Sequence, residues 1–331
     1  MIIRETTQQK EWSDLVDELQ AHPLQRWEWG HFKASTGPWT VHRLIIVSDG
    51  ERVGGAQVLV RKMPFPLGAI CYVPRGPFMR DPALLAHACN LVADWCRRNT
   101  DAVSVKIEPA STTLVLDDSW LPSARVLYPQ TALIELGRPA DKVIASIPNE
   151  ATREYMIRSE EDGVRVRRAT LQDVDTVLAL YHEYANNIGA TMREDNYYRT
   201  AFRELSGVSE LLVAEYEGNM LAFLWTIFTA GTTFELWEGV TEEGLRMRAN
   251  YLLKRCSIQA ACERGSQVYD LNGTQTDGRM DFKLMLVEGP TSWVGSYDCP
   301  ISLWYSIMNA AFNLRRIHKE RAGSRHEATE E

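Results

Sequence analysis

Apolar positions recur along the chain with two different periods, and these periods predict helices and strands in a fixed order. Near the N-terminus, Trp12, Leu15 and Leu19 fall on one face of an amphipathic helix. Three apolar runs rich in valine and isoleucine follow, separated by an Asp-Gly turn and a Pro-x-Pro turn. A helical pattern over 82–99 and a strand over 102–108 then complete a first unit.

The same order of elements recurs in the second half of the chain. A helical pattern begins near Thr170, where Asp173 completes a capping box. Three apolar strands lead to another helical pattern over 248–265 and a last strand. Gly50 and Gly218 mark equivalent turns in the two units. The repeat predicts two units, each made of a helix, three antiparallel strands, a helix and a strand, with the helices covering a mixed sheet.

This order of elements is similar to the acyltransferase fold of the GCN5-related N-acetyltransferases (GNAT). In that fold the central strands splay apart and admit an acyl donor. The predicted fold class is therefore α/β, an α+β mixed sheet arranged as two tandem GNAT-like domains. The sequence shows no long charged heptad pattern, so no coiled-coil arm is expected.

Composition narrows the range of functions. The chain has 331 residues and a net charge of −8, which fits a globular protein of about two domains and argues against a broad nucleic-acid-coating surface. Six cysteines without a CxxC motif predict free thiols, and seven histidines without HExxH give no support for a metal site. There is no signal peptide and no apolar run of the length that spans a membrane, so a cytoplasmic location is expected.

Several motifs of common enzyme classes are missing. The sequence has no GxSxG, no GxxxxGK[ST] and no GxGxxG after a strand. Acetyltransferases that use acetyl-coenzyme A hold the pyrophosphate of this donor on a glycine-rich loop at the start of a helix. The equivalent segment, 238–253, has no glycine after Arg246 or Arg248. The fold therefore suggests acyl transfer, while the usual donor does not fit.

Four stretches, 24–37, 72–79, 269–289 and 293–298, follow one another in an order that resembles the FemABX peptidyltransferase family. The resemblance implies transfer of an amino acid from aminoacyl-tRNA to an amine of a peptidoglycan precursor, which builds interpeptide bridges. It implies no cofactor, because aminoacyl-tRNA is the co-substrate. The expected partners are the acceptor end of that tRNA and either UDP-linked muramyl pentapeptide or lipid II, with no DNA.

The resemblance also implies domain limits. The first domain is expected to comprise residues 1–147 together with a terminal segment, 299–331, that packs back on it. The second is expected to comprise residues 148–298. A transient contact of the terminal arginines with the inner face of the membrane is an alternative to a purely cytoplasmic location.

Five residues match family positions that bind substrate. The resemblance implies that Lys33 contacts the diphosphate of the precursor and that Arg193 and Tyr197 hold the precursor from one helix face. Tyr72 and Arg75 lie in the Tyr-Val-Pro-Arg-Gly-Pro loop, a family signature. The alternatives are a surface lysine, a solvated helix, and a loop that only stiffens the end of a strand.

Phe282 and Lys283 match the Phe-Lys pair of the family's acyl-transfer site. Lys283 lies among apolar residues, where a charge needs a partner. Asp81 is a candidate base, although Arg80 intervenes where relatives often have the acid. Trp237 stands where many relatives have tyrosine, and it either stacks on substrate or fills the core.

A small basic patch is expected to contact the tRNA. Its candidates are Arg246, Arg248, Lys254 and Arg255, with Lys283. The rival functions are a related tRNA-dependent or acyl-CoA-dependent N-acyltransferase that acts on a non-peptidoglycan amine, and a non-catalytic binding module.

Overall fold

The computed structural model of the protein describes residues 1–65, 67–273, 282–307 and 309–310. The helices are α1 (Gln9–Glu18), α2 (Trp27–Thr36), α3 (Leu85–Asn99), α4 (Ala140–Ala145), α5 (Glu150–Glu161), α6 (Val174–Asn187), α7 (Asp195–Glu204), α8 (Glu242–Arg246) and α9 (Ala249–Glu263). The strands are β1 (Ile2–Glu5), β2 (Thr40–Ser48), β3 (Glu51–Lys62), β4 (Ala69–Arg75), β5 (Phe78–Met79), β6 (Ala102–Pro109), β7 (Leu121–Pro122), β8 (Gln130–Thr131), β9 (Leu133–Glu135), β10 (Arg165–Arg168), β11 (Ser209–Tyr216), β12 (Asn219–Phe228), β13 (Thr232–Val240), β14 (Val268–Asp270), β15 (Thr291–Ser292) and β16 (Tyr297–Pro300).

Two mixed sheets carry the two repeat units. The first has the strand order β1-β2-β3-β4-β6-β16-β7, with β5 beside β3, and the second has the order β10-β11-β12-β13-β14-β9. In the first sheet, β2, β3 and β4 are antiparallel and β4 pairs parallel with β6. In the second, β11, β12 and β13 are antiparallel and β13 pairs parallel with β14. The predicted duplication and the α/β class are confirmed.

The first hairpin of each unit turns in the same way. Asp49 and Gly50 have φ of 52° and 85°, and Glu217 and Gly218 have φ of 49° and 82°. Two positive φ values between antiparallel strands are typical of the two-residue turn that matches strand twist, and glycine adopts them without strain. The equivalence that the sequence predicted for the two glycines is therefore present in the backbone.

Apolar faces of helices build the core on both sides of each sheet. Trp12 of α1 is fully buried against the first sheet, and α3 buries Cys89 and Val92 on the other face. In the second unit, α6 and α7 cover one face and α9 covers the other. The predicted capping box of Thr170 and Asp173 begins the short turn that leads into α6.

The two units exchange strands. β9 follows the first unit in sequence but pairs antiparallel with β14 of the second sheet. β16 follows the second unit but pairs antiparallel with β6 of the first sheet. The chain joins the second sheet at Leu133, ahead of the expected boundary at 147/148, and α4 packs there through Val143. The return to the first sheet occurs at Tyr297, two residues before the predicted 299.

The parallel strand pairs differ in length. β4 and β6 stay paired from Ala69 to Arg75, whereas β13 and β14 pair only from Thr232 to Phe234. After Phe234 the two strands diverge, so the second sheet has the splayed centre expected of a GNAT fold.

The expected return of the terminal segment can be followed for a short distance. Tyr305 is buried against Val103 of the first sheet, whereas residues 308 and 311–331 lie outside the described part of the chain. None of the helices described has both the length and the apolar composition needed to cross a membrane.

Candidate active site

A cleft of about 1150 Å³ opens between the two units. Its walls come from α2, β3 and β4 of the first unit and from α7 and β13 of the second. Five predicted substrate-binding residues line it: Lys33, Tyr72, Arg193, Tyr197 and Trp237. Residues far apart in sequence therefore meet at one site, and this is the arrangement that the family resemblance implied.

Lys33 projects from the last turn of α2 into an aromatic surround. Its Nζ donates a hydrogen bond to Tyr197 Oη at 3.2 Å and lies 5.2 Å from the centre of the Tyr197 ring and 5.7 Å from that of Trp29. Burial, with the nearby charge of Arg193 adding to it, lowers the pKa of Lys33 to about 8. A cation with this little hydration gains more from an incoming anion than an exposed lysine does.

Arg193 lies two residues before α7 begins, and Tyr197 lies in the first turn of that helix, so the two do not share a helix face as predicted. The Arg193 guanidinium lies 6.0 Å from the centre of the Tyr197 ring, and burial raises the pKa of Tyr197 to about 12. Within the part of the chain that the structure describes, no carboxylate lies within ion-pair distance of either Lys33 or Arg193. Two cations therefore converge on the cleft without a carboxylate to neutralise them.

Tyr72 forms the opposite wall. Its hydroxyl donates to the carboxylate of Glu108, and burial together with that carboxylate raises the pKa of Tyr72 well above its ordinary value. Glu108 also accepts hydrogen bonds from the backbone N–H groups of Val126 and Leu127, at 2.7 Å and 3.1 Å. The carboxylate thereby fixes the 126–127 segment, which lines the same cleft.

The loop of Arg75 points its side chain away from the cleft. Arg75 adopts a φ of 52°, is 3 % exposed, and donates to the backbone carbonyl of Tyr128 at 2.8 Å. Its guanidinium lies 5.4 Å from the centre of the Trp293 ring, and Gln25 holds the loop by donating to the Pro74 carbonyl at 2.6 Å. Arg75 thus ties the strand end to a neighbouring segment, and this placement does not support direct contact with substrate.

Asp81 is not brought to the cleft. Its carboxylate accepts from the backbone N–H of Ala83 at 2.9 Å and caps a short 3₁₀ turn at Pro82–Leu84. The preceding Arg80 pairs with Glu18 on the exposed surface. The predicted role as a base therefore has no geometric support, because no cleft residue lies beside this carboxylate in the described structure.

A β-bulge in β13 arranges two acids on one face of the second sheet. Thr226 faces Glu235 and Trp225 faces Trp237, so Leu236 is the extra residue. Residues three apart on a regular strand point to opposite faces, but the bulge brings Glu235 and Glu238 to the same one. Trp237, on the other face, lines the cleft and packs edge-to-face on Tyr198 and Trp225, so it both fills the core and lies open to a substrate.

The two acids meet two lysines in a buried ion cluster. Lys254 of α9 is 1 % exposed, and its Nζ lies 2.5 Å from Glu235 Oε1 and 2.7 Å from Glu238 Oε2. Lys283 Nζ lies 3.2 Å from Glu238 Oε1 and 3.8 Å from Glu235 Oε2. Burial opposes ionisation of Glu238, but the two lysines outweigh it and lower the pKa of Glu238 to about 2.

The cluster corrects one prediction and confirms another. The basic patch predicted from the sequence required Lys254 to contact tRNA. Its side chain is buried and its ammonium pairs with two carboxylates, so it cannot make that contact. The partner that a charge at Lys283 needed is present as Glu235 and Glu238.

Lys283 bridges the gap where β13 and β14 part. Its Nζ donates to the backbone carbonyls of Leu271 and Asn272, at 2.6 Å and 3.2 Å. Asn272 lines the cleft, so the ammonium lies directly behind the cleft wall. Phe282 points into the core and packs edge-to-face on Tyr251 at 4.6 Å, which agrees with the alternative of a core phenylalanine.

Sequence reasoning missed Glu108, Glu235, Glu238 and the structural place of Lys254. The available signal was the presence of charges in otherwise apolar elements, such as two glutamates in a strand and a lysine inside an apolar helix face. Such charges are buried only with partners.

Among the residues described, no group of three or more histidine, cysteine, aspartate or glutamate side chains could hold a metal ion.

Comparisons with known proteins define the class. The sequence model of the family described as "Acetyltransferase (GNAT) domain" matches residues 150–284. The fold resembles that of FemX, with a TM-score of 0.74 at 17 % identity, covering 91 % of this chain and 97 % of that one. A conserved protein of unknown function from Bacteroides thetaiotaomicron has a TM-score of 0.60 at 11 % identity, covering 91 % and 100 %. The fold is a tandem GNAT fold, and the findings support an enzyme of the acyltransferase class.

A sequence relative points to the family. The chain is 33 % identical over 97 residues to the lipid II:glycine glycyltransferase of Staphylococcus saprophyticus. That match covers 28 % of this chain and 23 % of the relative, so it spans less than a quarter of that protein. This partial match and the fold shared with FemX agree with the resemblance that the four sequence stretches indicated.

Proposed function

We propose that the protein transfers an amino acid from aminoacyl-tRNA to the amine of a peptidoglycan precursor stem peptide. The observation that carries this proposal is the pairing of a cleft rich in cations with the splayed strands of the second unit. The cleft would hold the diphosphate of the acceptor, and the splay would receive the donor. The name of the Staphylococcus saprophyticus relative, lipid II:glycine glycyltransferase, supports a lipid-linked precursor as the acceptor.

Charge in the cleft favours a diphosphate. The chain carries a net charge of −8, yet the described lining holds five cations, Lys33, Arg61, Lys106, Arg125 and Arg193, against two acids, Glu194 and Asp298. Asp298 is itself paired with Lys106 at 2.8 Å. A cleft of one sign between walls of low dielectric concentrates the opposite charge, and Lys33 with Arg193 can approach adjacent phosphates.

Chemistry at the splay needs positioning more than an activated enzyme group. The acceptor nitrogen forms a bond to the acyl carbon, the ester C–O bond breaks, and the ribose oxygen leaves as a hydroxyl with the proton that the amine gives up. If the amine is that of a lysine side chain, its ordinary pKa is about 10.4, and it must lose a proton before it attacks. Under this proposal the positive charge of Lys283 would stabilise oxygens that gain negative charge.

Glu238, with its pKa lowered to about 2, is a weak base. The proton is therefore assigned to the substrates' own phosphate or hydroxyl groups. No covalent enzyme intermediate is needed.

Transfer from an acyl-coenzyme A is the second candidate, because the family model is that of an acetyltransferase domain. The residues fit that cofactor poorly. The short helix α8, directly before α9, begins with two exposed glutamates, Glu242 and Glu243, and no glycine follows Arg246 or Arg248 to form a pyrophosphate loop. A melting-temperature rise with acetyl-coenzyme A would favour this second candidate.

One mass-spectrometric assay tests the proposal. The protein is incubated with total charged tRNA and, in separate reactions, with UDP-linked muramyl pentapeptide or lipid II in detergent. We expect the precursor to gain the mass of one amino-acid residue, and we expect ribonuclease to abolish the gain. Acetyl-coenzyme A replaces the tRNA in a parallel reaction. Acyl transfer from coenzyme A, or no gain with either precursor, contradicts the proposal.

A further inference from the structure

We propose that Lys254, Glu235 and Glu238 are positioning residues that hold Lys283 as an ammonium in the gap between β13 and β14. The contacts with Lys254 of α9 and with the two glutamates of β13 would then determine the direction in which this ammonium points. What Lys283 acts on rests on the proposed function, whereas the way it is held does not.

The contacts form one connected network. Lys254 Nζ touches both oxygens of Glu235, at 2.5 Å and 2.6 Å, and one oxygen of Glu238 at 2.7 Å. The second Glu238 oxygen is left to face Lys283. The backbone carbonyls of Leu271 and Asn272 also accept hydrogen bonds from the Lys283 ammonium.

The charge balance explains why both lysines are present. Two carboxylates on one face of a strand repel each other, and a single lysine would leave one excess negative charge in a site away from water. Lys254 balances one carboxylate from inside, and Lys283 balances the other from the cleft side. The formal charges of these two lysines and two glutamates then sum to zero.

The exposure of each member matches this division of roles. The side chains of Lys254 and Glu235 are 1 % and 3 % exposed, while those of Lys283 and Glu238 are 15 % and 29 % exposed. Buried ion pairs are a poor means of adding stability, because dehydration offsets most of the attraction. A costly cluster located where the strands part therefore points to a site that needs a fixed cation.

Two substitutions with opposite expected signs test the inference. Glu238→Gln keeps the shape but removes a carboxylate beside Lys283, so the ammonium loses its proton more easily. Lys254→Met removes a neighbouring positive charge, so Lys283 holds its proton more tightly. Labelling of the full-length protein with acetic anhydride across pH, followed by mass spectrometry of the peptide that carries Lys283, reports the protonation of this amine directly.

We expect the labelling midpoint of Lys283 to fall by about 1 pH unit or more in Glu238→Gln and to rise by a similar amount in Lys254→Met. Arg264→Met is the matched control, since Arg264 pairs with the buried Glu210 at 2.8 Å elsewhere in the second unit. It should leave the midpoint unchanged. A purely structural cluster would instead increase labelling at every pH in both variants, without opposite shifts, and that result would overturn the inference.

Transfer assays supply the second readout. Lys254→Met should lower kcat at least about tenfold without changing KM for the precursor. Adding Glu235→Gln to it restores a neutral cluster and should recover part of the loss. Full activity in Lys254→Met, or no recovery in the double variant, counts against the role. If the wild-type protein transfers nothing, the proposed function fails, while the labelling shifts still decide how Lys283 is held.

Discussion

The two units share one order of elements, yet they treat their central parallel strands in opposite ways. In the first unit the ladder between β4 and β6 continues to Arg75 and Pro109, and in the second the ladder between β13 and β14 stops at Phe234 and Asp270. Both places contain buried acids. Glu108 of the first unit meets hydroxyl and backbone N–H donors, whereas Glu235 and Glu238 of the second meet lysines.

The difference shows how a duplicated fold can divide its work. A closed ladder leaves no room for a donor, so the first unit contributes a wall: Lys33, Tyr72 and the segment held by Glu108. The open ladder of the second unit keeps a gap with a cation inside it. Under the proposed function, the first unit presents the acceptor and the second handles the acyl group.

Loss of the cation in the open ladder should have the largest effect. Lys283→Met is expected to lower the transfer rate about 100- to 1000-fold, because one donor to the developing charge is removed. Binding of the UDP-linked precursor, measured by calorimetry, should stay within about twofold of wild type. Lys142→Met, at an exposed lysine, is the control. A fully active Lys283→Met enzyme would remove the distinction between the two units.

Substitution of the two cleft cations should weaken precursor binding and leave the transfer rate nearly unchanged. Lys33→Met and Arg193→Met are each expected to weaken precursor binding about 10- to 100-fold, since a hydrogen bond to a charged group contributes about 1.5–3 kcal/mol. The same calorimetric titration measures this effect, with kcat at saturating precursor nearly retained. Unchanged affinity in both variants would show that the anion does not bind at this wall.

Loss of the buried carboxylate in the first unit should lower the free energy of unfolding. Glu108→Gln leaves backbone donors of the 126–127 segment without their acceptor, and we expect a loss of about 1–3 kcal/mol in the free energy of unfolding. Urea denaturation followed by tryptophan fluorescence measures it. A variant as stable as wild type would mean that this carboxylate does not fix the wall.

The wall should also depend on pH. Lys33, with a pKa of about 8, binds an anion in its protonated form, and the anion raises that pKa further. Affinity is therefore highest below pH 8 and falls as pH rises above it, by about threefold to tenfold between pH 7 and pH 9. Lys33→Arg keeps its charge over this range and should flatten the profile. An equal decline in Lys33→Arg would assign the effect to another group.

The smallest effect is expected outside both sites. Asp81→Ala removes only a cap on an exposed turn, so the transfer rate should stay within about twofold and the loss of stability should be about 1 kcal/mol or less. Steady-state rates and urea denaturation check the two parts. A rate loss of about 100-fold would restore Asp81 as the base.

Periodicity in the sequence was sufficient to predict the duplicated order of elements, because apolar faces and turn residues are local signals. The equivalence of Gly50 and Gly218 and the capping box at Thr170 are of this kind. The exchange of β9 and β16 was not predicted, since short strands gain their identity from a distant partner. The expected boundary at 147 therefore did not anticipate the crossing of the chain to the second sheet at Leu133.

The site residues also divide into those that the sequence was sufficient to predict and those that depend on contacts between distant parts of the chain. Lys33, Arg193 and Tyr197 were found through a family resemblance, and the cleft brings them together. Arg75 and Asp81 lie in or beside the same signature loop, but their side chains are used for the structure of the loop. The role of Lys254 could not be read from sequence, because the bulge at Leu236 that turns both acids towards α9 has no clear signature in the chain.

The reciprocal exchange of β9 and β16 has a consequence for synthesis on the ribosome. Chains are made from the N-terminus, and domains generally fold as they emerge. Here the edge of β6 has to wait for residues 297–300, which are made only after the entire second sheet. Until then the first unit presents an open strand edge, a surface that invites pairing with other chains. The two halves therefore mature together, and neither can be cut out as an independently folding piece without losing a strand of its sheet.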